Sequence, residues 1–184
     1  MSFSILPKNL PIPENDGACD HLYNMEIPDI SLPNQDGNLL KLNRTDTFRL
    51  VIYCYPMTGH PDKPLPKNWN NIPGARGCTP QACTFRDNYD NFISLNAIPI
   101  GLSTQSIYDI KEMTKRLFIP FDVVSDIELK FANSMNLPTF SIQNKIFIKR
   151  LTLIIDRFLI KKVFYPIFPP DLHVQDVLNW LKKN

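Results

Sequence analysis

The chain has 184 residues, 43% of them hydrophobic and 21% charged, which suits one globular domain with a sizeable core. Its formal net charge of +2, without a dense Lys/Arg run, speaks against nucleic acid or an acidic membrane surface as a partner. No segment approaches the ~20 apolar residues of a membrane span, and residues 1–8 lack the charged and apolar regions of a secretory leader, so a cytoplasmic location is expected.

Residues 1–26 are rich in Pro and Asn and read as an extended arm. From Ile27 to Leu42, two short apolar stretches flank Gln35-Asp36-Gly37-Asn38, and the Asp-Gly pair predicts an N-terminal β-hairpin. Phe48 to Tyr55 is an almost unbroken apolar, β-branched and aromatic run ended by Pro56, the pattern of a strand buried on both faces. Residues 59–77 form an aperiodic loop of Pro, Asn, Gly and Lys, and a loop of that length is often functional. Pro80 to Ile93 has a helical stripe of Ala82, Phe85, Tyr89, Phe92 and Ile93, with Thr79 as cap and Pro80 at the first helical position.

Ala97 to Ser103 reads as a strand, and Ser106 to Leu117 as a helix capped by Ser106. Asp126 is the expected cap of a short helix reaching Met135. Arg150 to Asp156 and Leu159 to Tyr165 are strands that form an antiparallel hairpin through Asp156-Arg157-Phe158. Asp171 is the expected cap of a last helix with Val174, Val177, Leu178 and Leu181 inward and Trp180 in its packing. The order predicts a single α/β domain over 1–184, with a central mixed sheet flanked by helices.

The chain has four cysteines, Cys19, Cys54, Cys78 and Cys83. In a reducing compartment, closely spaced cysteines serve catalysis or metal more often than structure. Cys78 falls at a helix N-terminus, where the dipole and unpaired N–H groups favour a thiolate, the nucleophilic form. Cys83 points roughly 130° from the apolar stripe, counting 100° per residue, and is expected to be accessible. In a wound helix, Cα atoms five residues apart are about 8–9 Å from each other, whereas a disulfide needs roughly 7 Å or less. Pairing of the two would therefore require the helix start to unwind. A zinc site is the competing use, since the spacing lies within the loose range for a zinc pair. No second Cys/His pair follows, however: His60 stands alone, and His21 and His173 are distant.

Three segments resemble the peroxiredoxin family: Tyr53-Cys-Tyr-Pro56, Gly77-Cys-Thr-Pro-Gln-Ala-Cys-Thr-Phe-Arg-Asp87, and Arg150 to Asp156. The nearest branch is peroxiredoxin Q, also called bacterioferritin comigratory protein. The resemblance spans roughly residues 27 to 165 in matching order. It implies a thioredoxin-like fold, with Cys78 as the peroxidatic cysteine. Cys83 would be the resolving cysteine that forms an intramolecular disulfide, and thioredoxin or a similar dithiol the reductant. It implies hydroperoxide as substrate and no metal, haem or flavin. It also places Arg150 beside the peroxidatic sulfur, where a fixed cation stabilises a thiolate and can donate to a peroxide oxygen.

One departure is visible. The family usually carries Thr three residues before the peroxidatic cysteine; here that residue is Ala75, and Pro56 and Thr58 stand before the long loop. Pro56, Thr58, Arg76 and Gly77 are the candidates for shaping the substrate site. Cys54 is expected to be buried and inert, Cys19 exposed without a partner, and Trp69 to pack the loop or shape access. Two alternatives remain at this point: a peroxide sensor or thiol–disulfide exchange protein with little turnover, and a non-catalytic binding domain. Monomer and homodimer are both open.

Overall fold

The computed structural model describes residues 6–7, 9–43 and 48–184. The reading of residues 1–8 as lacking a leader therefore falls largely outside the described residues. The arm does not stay extended. It makes a turn of 3-10 helix at Asp20–Leu22, Leu22 is fully buried, and Cys19 is 4% exposed. The expectation that Cys19 is exposed is thus corrected: tertiary packing of the arm against the sheet covers it. Burial pushes its thiol up to about 12, aided by Asp16 and Asp20.

The first hairpin forms as the Asp-Gly signal predicts, from β1 (Ser31–Pro33) and β2 (Leu39–Lys41). Asn34 closes its turn by accepting from the N–H groups of Asp36 and Asn38, both at 3.0 Å. The apolar run becomes β3 (Arg49–Cys54). After the long loop, the chain enters α1 (Cys78–Asp87) and α2 (Tyr89–Ser94). The predicted continuous helix breaks at Asn88, which caps α1, and Ile93 turns outward at 37% exposure. Then come β4 (Ala97–Ser103), α3 (Ile107–Leu117), β5 (Val123–Ser125) and α4 (Lys130–Ser134).

Ser106 caps α3 by accepting from Asp109 N. Asp126 serves α4 by accepting from the N–H groups of Phe131 and Ala132 at 3.1 and 2.8 Å. A small hairpin follows, β6 (Thr139–Ile142) and β7 (Lys145–Ile148), then β8 (Leu151–Asp156), β9 (Leu159–Phe164) and α5 (His173–Lys183). Asp171 does not cap α5. The helix begins after Leu172 with no side-chain cap, and the peptides before Pro166 and Pro169 in the segment leading to it are cis.

The sheet has strand order β5-β4-β3-β8-β9. β3 runs parallel to β4, and β4 to β5; β8 is antiparallel to β3 and β9. This is the thioredoxin-like arrangement, with β3, α1 and β4 as one half and β8, β9 and α5 as the other. Alternation along β3 divides the core. Leu50, Ile52 and Cys54 face a cluster closed by the arm, the first hairpin and α4. Val51, Tyr53 and Tyr55 face a second cluster with Phe85, Phe92, Ile110, Val177 and Leu181 from the helices. Burying a side chain such as Phe85 stabilises by about 1.5–3 kcal/mol, and this second cluster fixes α1 against the sheet.

Among the described residues, no helix is long and apolar enough to cross a membrane.

Candidate active site

Cys78 is the first residue of α1, which begins two residues earlier than predicted. The N-cap is Gly77 at φ +101°, not Thr79. Pro80 then stands third, where its missing N–H is still one of the orphans of a helix start. A side chain at 77 would be strained twice over. The left-handed φ disfavours any L-residue, and a Cβ would run into Pro170 and to 2.8 Å from Leu6 Cδ2.

Cys78 is 3% exposed. Arg150, itself 3% exposed, donates from Nη2 to Cys78 Sγ at 3.1 Å. The same nitrogen reaches the carbonyls of Gly74 at 3.2 Å and Arg76 at 3.1 Å, and Nη1 donates to Gln81 Oε1. Arg150 is thus tied at once to the approach to α1 and to its first turn. The Cys78 thiol also contacts Ala75 O at 3.6 Å. A thiolate cannot donate, so on ionisation the carbonyl contact is lost while the Arg150 contact strengthens as a charge-assisted bond.

Cys83 is on the same helix and half-buried, with all four cysteines free. Burial raises its thiol above the usual value; Arg86 and Arg116 pull it down while Asp87 pushes the same way as burial. Cys54 is fully buried and raised well above its ordinary value by desolvation. Burial also lifts the Tyr53 hydroxyl, and the charges of Cys78 and Cys83 lift it further. The Tyr53 ring centroid is 4.4 Å from that of Phe85. Gly101 leaves it room, since a Cβ there would be 2.9 Å from the hydroxyl.

The predicted substrate-side residues divide. Arg76 and Gly77 line the small pocket at Cys78, together with Met57, Leu65 and Trp69. Burial draws the Arg76 guanidinium below its usual value, and the Cys78 charge opposes that. The Thr58 hydroxyl donates to Gln105 Oε1 at 3.1 Å, its N–H donates to the same oxygen at 2.8 Å, and Thr58 lines the neighbouring groove. The carbonyl of Pro56 accepts from Ser103 Oγ at 3.2 Å. Trp69 is buried against Phe140 and Phe147 and pins the long loop to the β6–β7 hairpin.

Gln81 and His173, both buried and polar, were given no role by the sequence reading. Gln81, fully buried, holds Arg150; its place inside the Cys-x4-Cys segment was the available signal. His173 bonds Thr152 Oγ1 at 3.0 Å, and burial with the nearby Arg150 charge pushes it down to about 3, so it is neutral. Among the described residues, no group of three or more His, Cys, Asp or Glu could hold a metal ion.

A cysteine at a helix N-terminus against a buried arginine, on this sheet order, defines a thioredoxin-like thiol protein. The chain belongs to the AhpC/TSA family, whose pattern matches residues 70–162, half of its length. It is similar to the chloroplastic peroxiredoxin Q of Oryza sativa subsp. japonica, with 28% identity over 156 residues, 84% of this chain and 64% of that protein. The chain thus spans 64% of the length of that curated relative. Peroxidoxin BcpB from Mycobacterium tuberculosis superimposes with a TM-score of 0.72 at 23% identity, covering 88% of this chain and 96% of that one. Peroxiredoxin Q from Xanthomonas campestris gives 0.68 at 19% identity, covering 100% and 99%.

Proposed function

We propose that this chain is a thiol-dependent peroxidase acting as a single domain, with Cys78 as peroxidatic and Cys83 as resolving cysteine. The 3.1 Å contact of Arg150 Nη2 with Cys78 Sγ carries the reading. A cation that cannot be neutralised lies against a sulfur at a helix N-terminus, and both favour the thiolate. Family membership and the peroxiredoxin Q relatives support it further.

In this reading the Cys78 thiolate attacks the terminal oxygen of a hydroperoxide. An S–O bond forms, the O–O bond breaks, and the departing alkoxide or hydroxide takes a proton. Arg150 stabilises the thiolate and donates to the developing oxyanion. Arg76, Gly77, Pro56 and Thr58 shape the approach. Cys78 is left as a sulfenic acid, oxidised by two electrons. The Cys83 sulfur then displaces water from it to give an intramolecular disulfide, which requires the start of α1 to unwind. A dithiol protein such as thioredoxin reduces that disulfide by exchange and becomes oxidised in turn. The cycle needs no metal, haem or flavin. It suits a reducing compartment, and we place it in the cytoplasm, although the rice relative is chloroplastic.

The test is peroxide consumption by the purified chain with thioredoxin, its reductase and a nicotinamide reductant. Cys78→Ser should abolish it. Cys83→Ser should stop thioredoxin-driven turnover but leave one peroxide-driven oxidation of Cys78. Full activity in Cys78→Ser would end the assignment. The near-closed surroundings of Cys78 favour one second reading, a peroxide sensor with little turnover, which the same assay separates by rate.

A further inference from the structure

The N-terminal arm touches the start of α1 from outside the core. Leu6 lies against Gly77, the N-cap, and Pro13 lies against Gly74. A Cβ on those glycines would come to 2.8 Å from Leu6 Cδ2 and 3.6 Å from Pro13 Cβ. Three residues further on, Asp16 Oδ2 accepts from Lys149 Nζ at 2.7 Å, and Asp16 Oδ1 accepts from the Tyr165 hydroxyl at 2.8 Å. Lys149 Nζ also reaches the Tyr165 oxygen at 3.4 Å, so the three side chains close a ring. The bonds from Lys149 and Tyr165 hold the Asp16 carboxyl down at about 2, which keeps it charged at neutral pH. Behind this ring the arm is anchored: Leu22 is fully buried, and Asn24 N and Ile27 N donate to Ile160 O and Phe158 O at 2.9 and 2.7 Å.

Each point of contact belongs to the setting of Cys78. The Gly74 carbonyl accepts from Arg150 Nη2, Gly77 opens the helix that begins with Cys78, and Lys149 precedes Arg150 in the chain. Between Ile12 and Pro13 of the arm and Ile72 and Pro73 of the loop lies a cavity of about 380 Å³, with Arg150 in its wall. Close packing therefore does not fix the loop on this side. The glycine contacts and the Asp16 ring do, and the cavity leaves room for the loop to move once they open.

We infer that the arm is a strap that opposes unwinding of the first turn of α1, with Asp16 as its latch, and that it sets how long oxidised Cys78 persists before Cys83 captures it. The inference rests on the peroxidase reading of these two sulfurs. Capture needs the unwound turn, so its rate follows the fraction of molecules with the strap released. In capture the Cys83 thiolate attacks the sulfenic sulfur, the S–S bond forms, the S–O bond breaks, and the oxygen leaves as water after taking a proton. While the strap holds, the sulfenate can instead attack a second hydroperoxide. A second S–O bond then forms, the O–O bond breaks, and a sulfinic acid results with water or an alcohol. The first oxidation takes place on the wound helix and does not depend on the strap. Asp16 touches no reacting atom and is a positioning residue.

The experiment mixes the reduced full chain rapidly with hydrogen peroxide, quenches with a thiol-alkylating agent and reads thiol, disulfide and sulfinic acid by mass spectrometry. Asp16→Ala should speed disulfide formation about three- to fivefold, the scale of one exposed ion pair with its hydrogen bonds. It should lower the sulfinic fraction at high peroxide and leave the rate constant of the first oxidation unchanged. Asp16→Glu, which keeps the charge, should stay near the parent. Hydrogen exchange of the α1 amides should quicken in Asp16→Ala while that of β3 and β4 does not. An unchanged capture rate in both Asp16→Ala and Leu6→Ser would overturn the strap. So would equally faster exchange throughout the sheet, which would mark a general loss of stability. Failure of peroxide to oxidise Cys78 at all would instead remove the reading beneath it.

Discussion

Gln81 holds Arg150 from the same helix turn that carries Cys78, accepting from Nη1 while Nη2 points at the sulfur. The geometry of the cation is thus set by an amide three residues past the cysteine it serves. A neutral acceptor orients the guanidinium without cancelling its charge, and a carboxylate at that place would form an ion pair with it.

Gln81→Glu is therefore expected to slow oxidation of Cys78 by hydrogen peroxide about tenfold, because the field of Arg150 at the sulfur is reduced. Arg150→Lys should cost about 10²-fold, the scale of losing one fixed donor to a developing oxyanion. The two should be strongly non-additive, since both act through one contact. Stopped-flow rates on the four combinations test this. Additive losses would show that Gln81 acts on the fold and not through Arg150.

Gly77→Ala should lower stability by about 1–3 kcal/mol, from the left-handed φ and the close approach of Pro170 and Leu6. Urea unfolding at neutral pH measures it. A variant as stable as the parent would mean that the turn at 165–172 and the arm yield without cost, and that they do not fix the start of α1.

What the sequence made legible is what local pattern controls. The continuous run at 48–55 had to be a doubly buried strand, and Asp36-Gly37 had to turn a hairpin. Ser106 followed by an amphipathic stripe had to open a helix. The β6–β7 hairpin was missed because its strands are four residues long, with half of their residues exposed, and joined by Gln143 and Asn144 at positive φ, with no Gly to mark the turn. The burial of Cys19 and the grip of Gln81 on Arg150 depend on contacts between distant segments, which no periodicity announces. The two candidate cysteines were readable because cysteine spacing and a helix start are local, and Arg150 only through the family resemblance; the hydrogen-bonded setting of Thr58 and the groove beside it were not.

The β8–β9 turn suggests a stabilising change. Arg157 and Phe158 both adopt left-handed backbone, φ +47° and +71°, between strands paired up to Asp156 and Leu159. A two-residue turn with both central φ positive favours Asn-Gly. Replacing Arg157 by Asn and Phe158 by Gly should raise stability by about 1 kcal/mol, since the left-handed penalty is about 1–2 kcal/mol per ordinary residue and part is returned as glycine's unfolded-state entropy. Thermal melting reads the shift. A lower melting temperature would mean that the Phe158 side chain, 36% exposed, contributes more by packing than its backbone costs.

His173 gives the fold a pH dependence of definite sign. Its ordinary value is 6.5, and burial together with Arg150 pushes it down to about 3. Between those values the unfolded chain binds a proton that the native chain does not, so stability rises with pH across this window. The contribution is complete above pH 6.5 and drains away on acidification, at about 1.4 kcal/mol for each pH unit below it. Bringing the protein from neutral pH to pH 5 should therefore cost about 2 kcal/mol through this residue alone. His173→Gln keeps a hydrogen-bonding partner for Thr152 Oγ1 and cannot titrate. Its urea midpoint should vary less between the two pH values than that of the parent. Equal pH dependence in parent and variant would mean that the imidazole is already free to protonate in the folded chain, and that Arg150 is not close enough to oppose it.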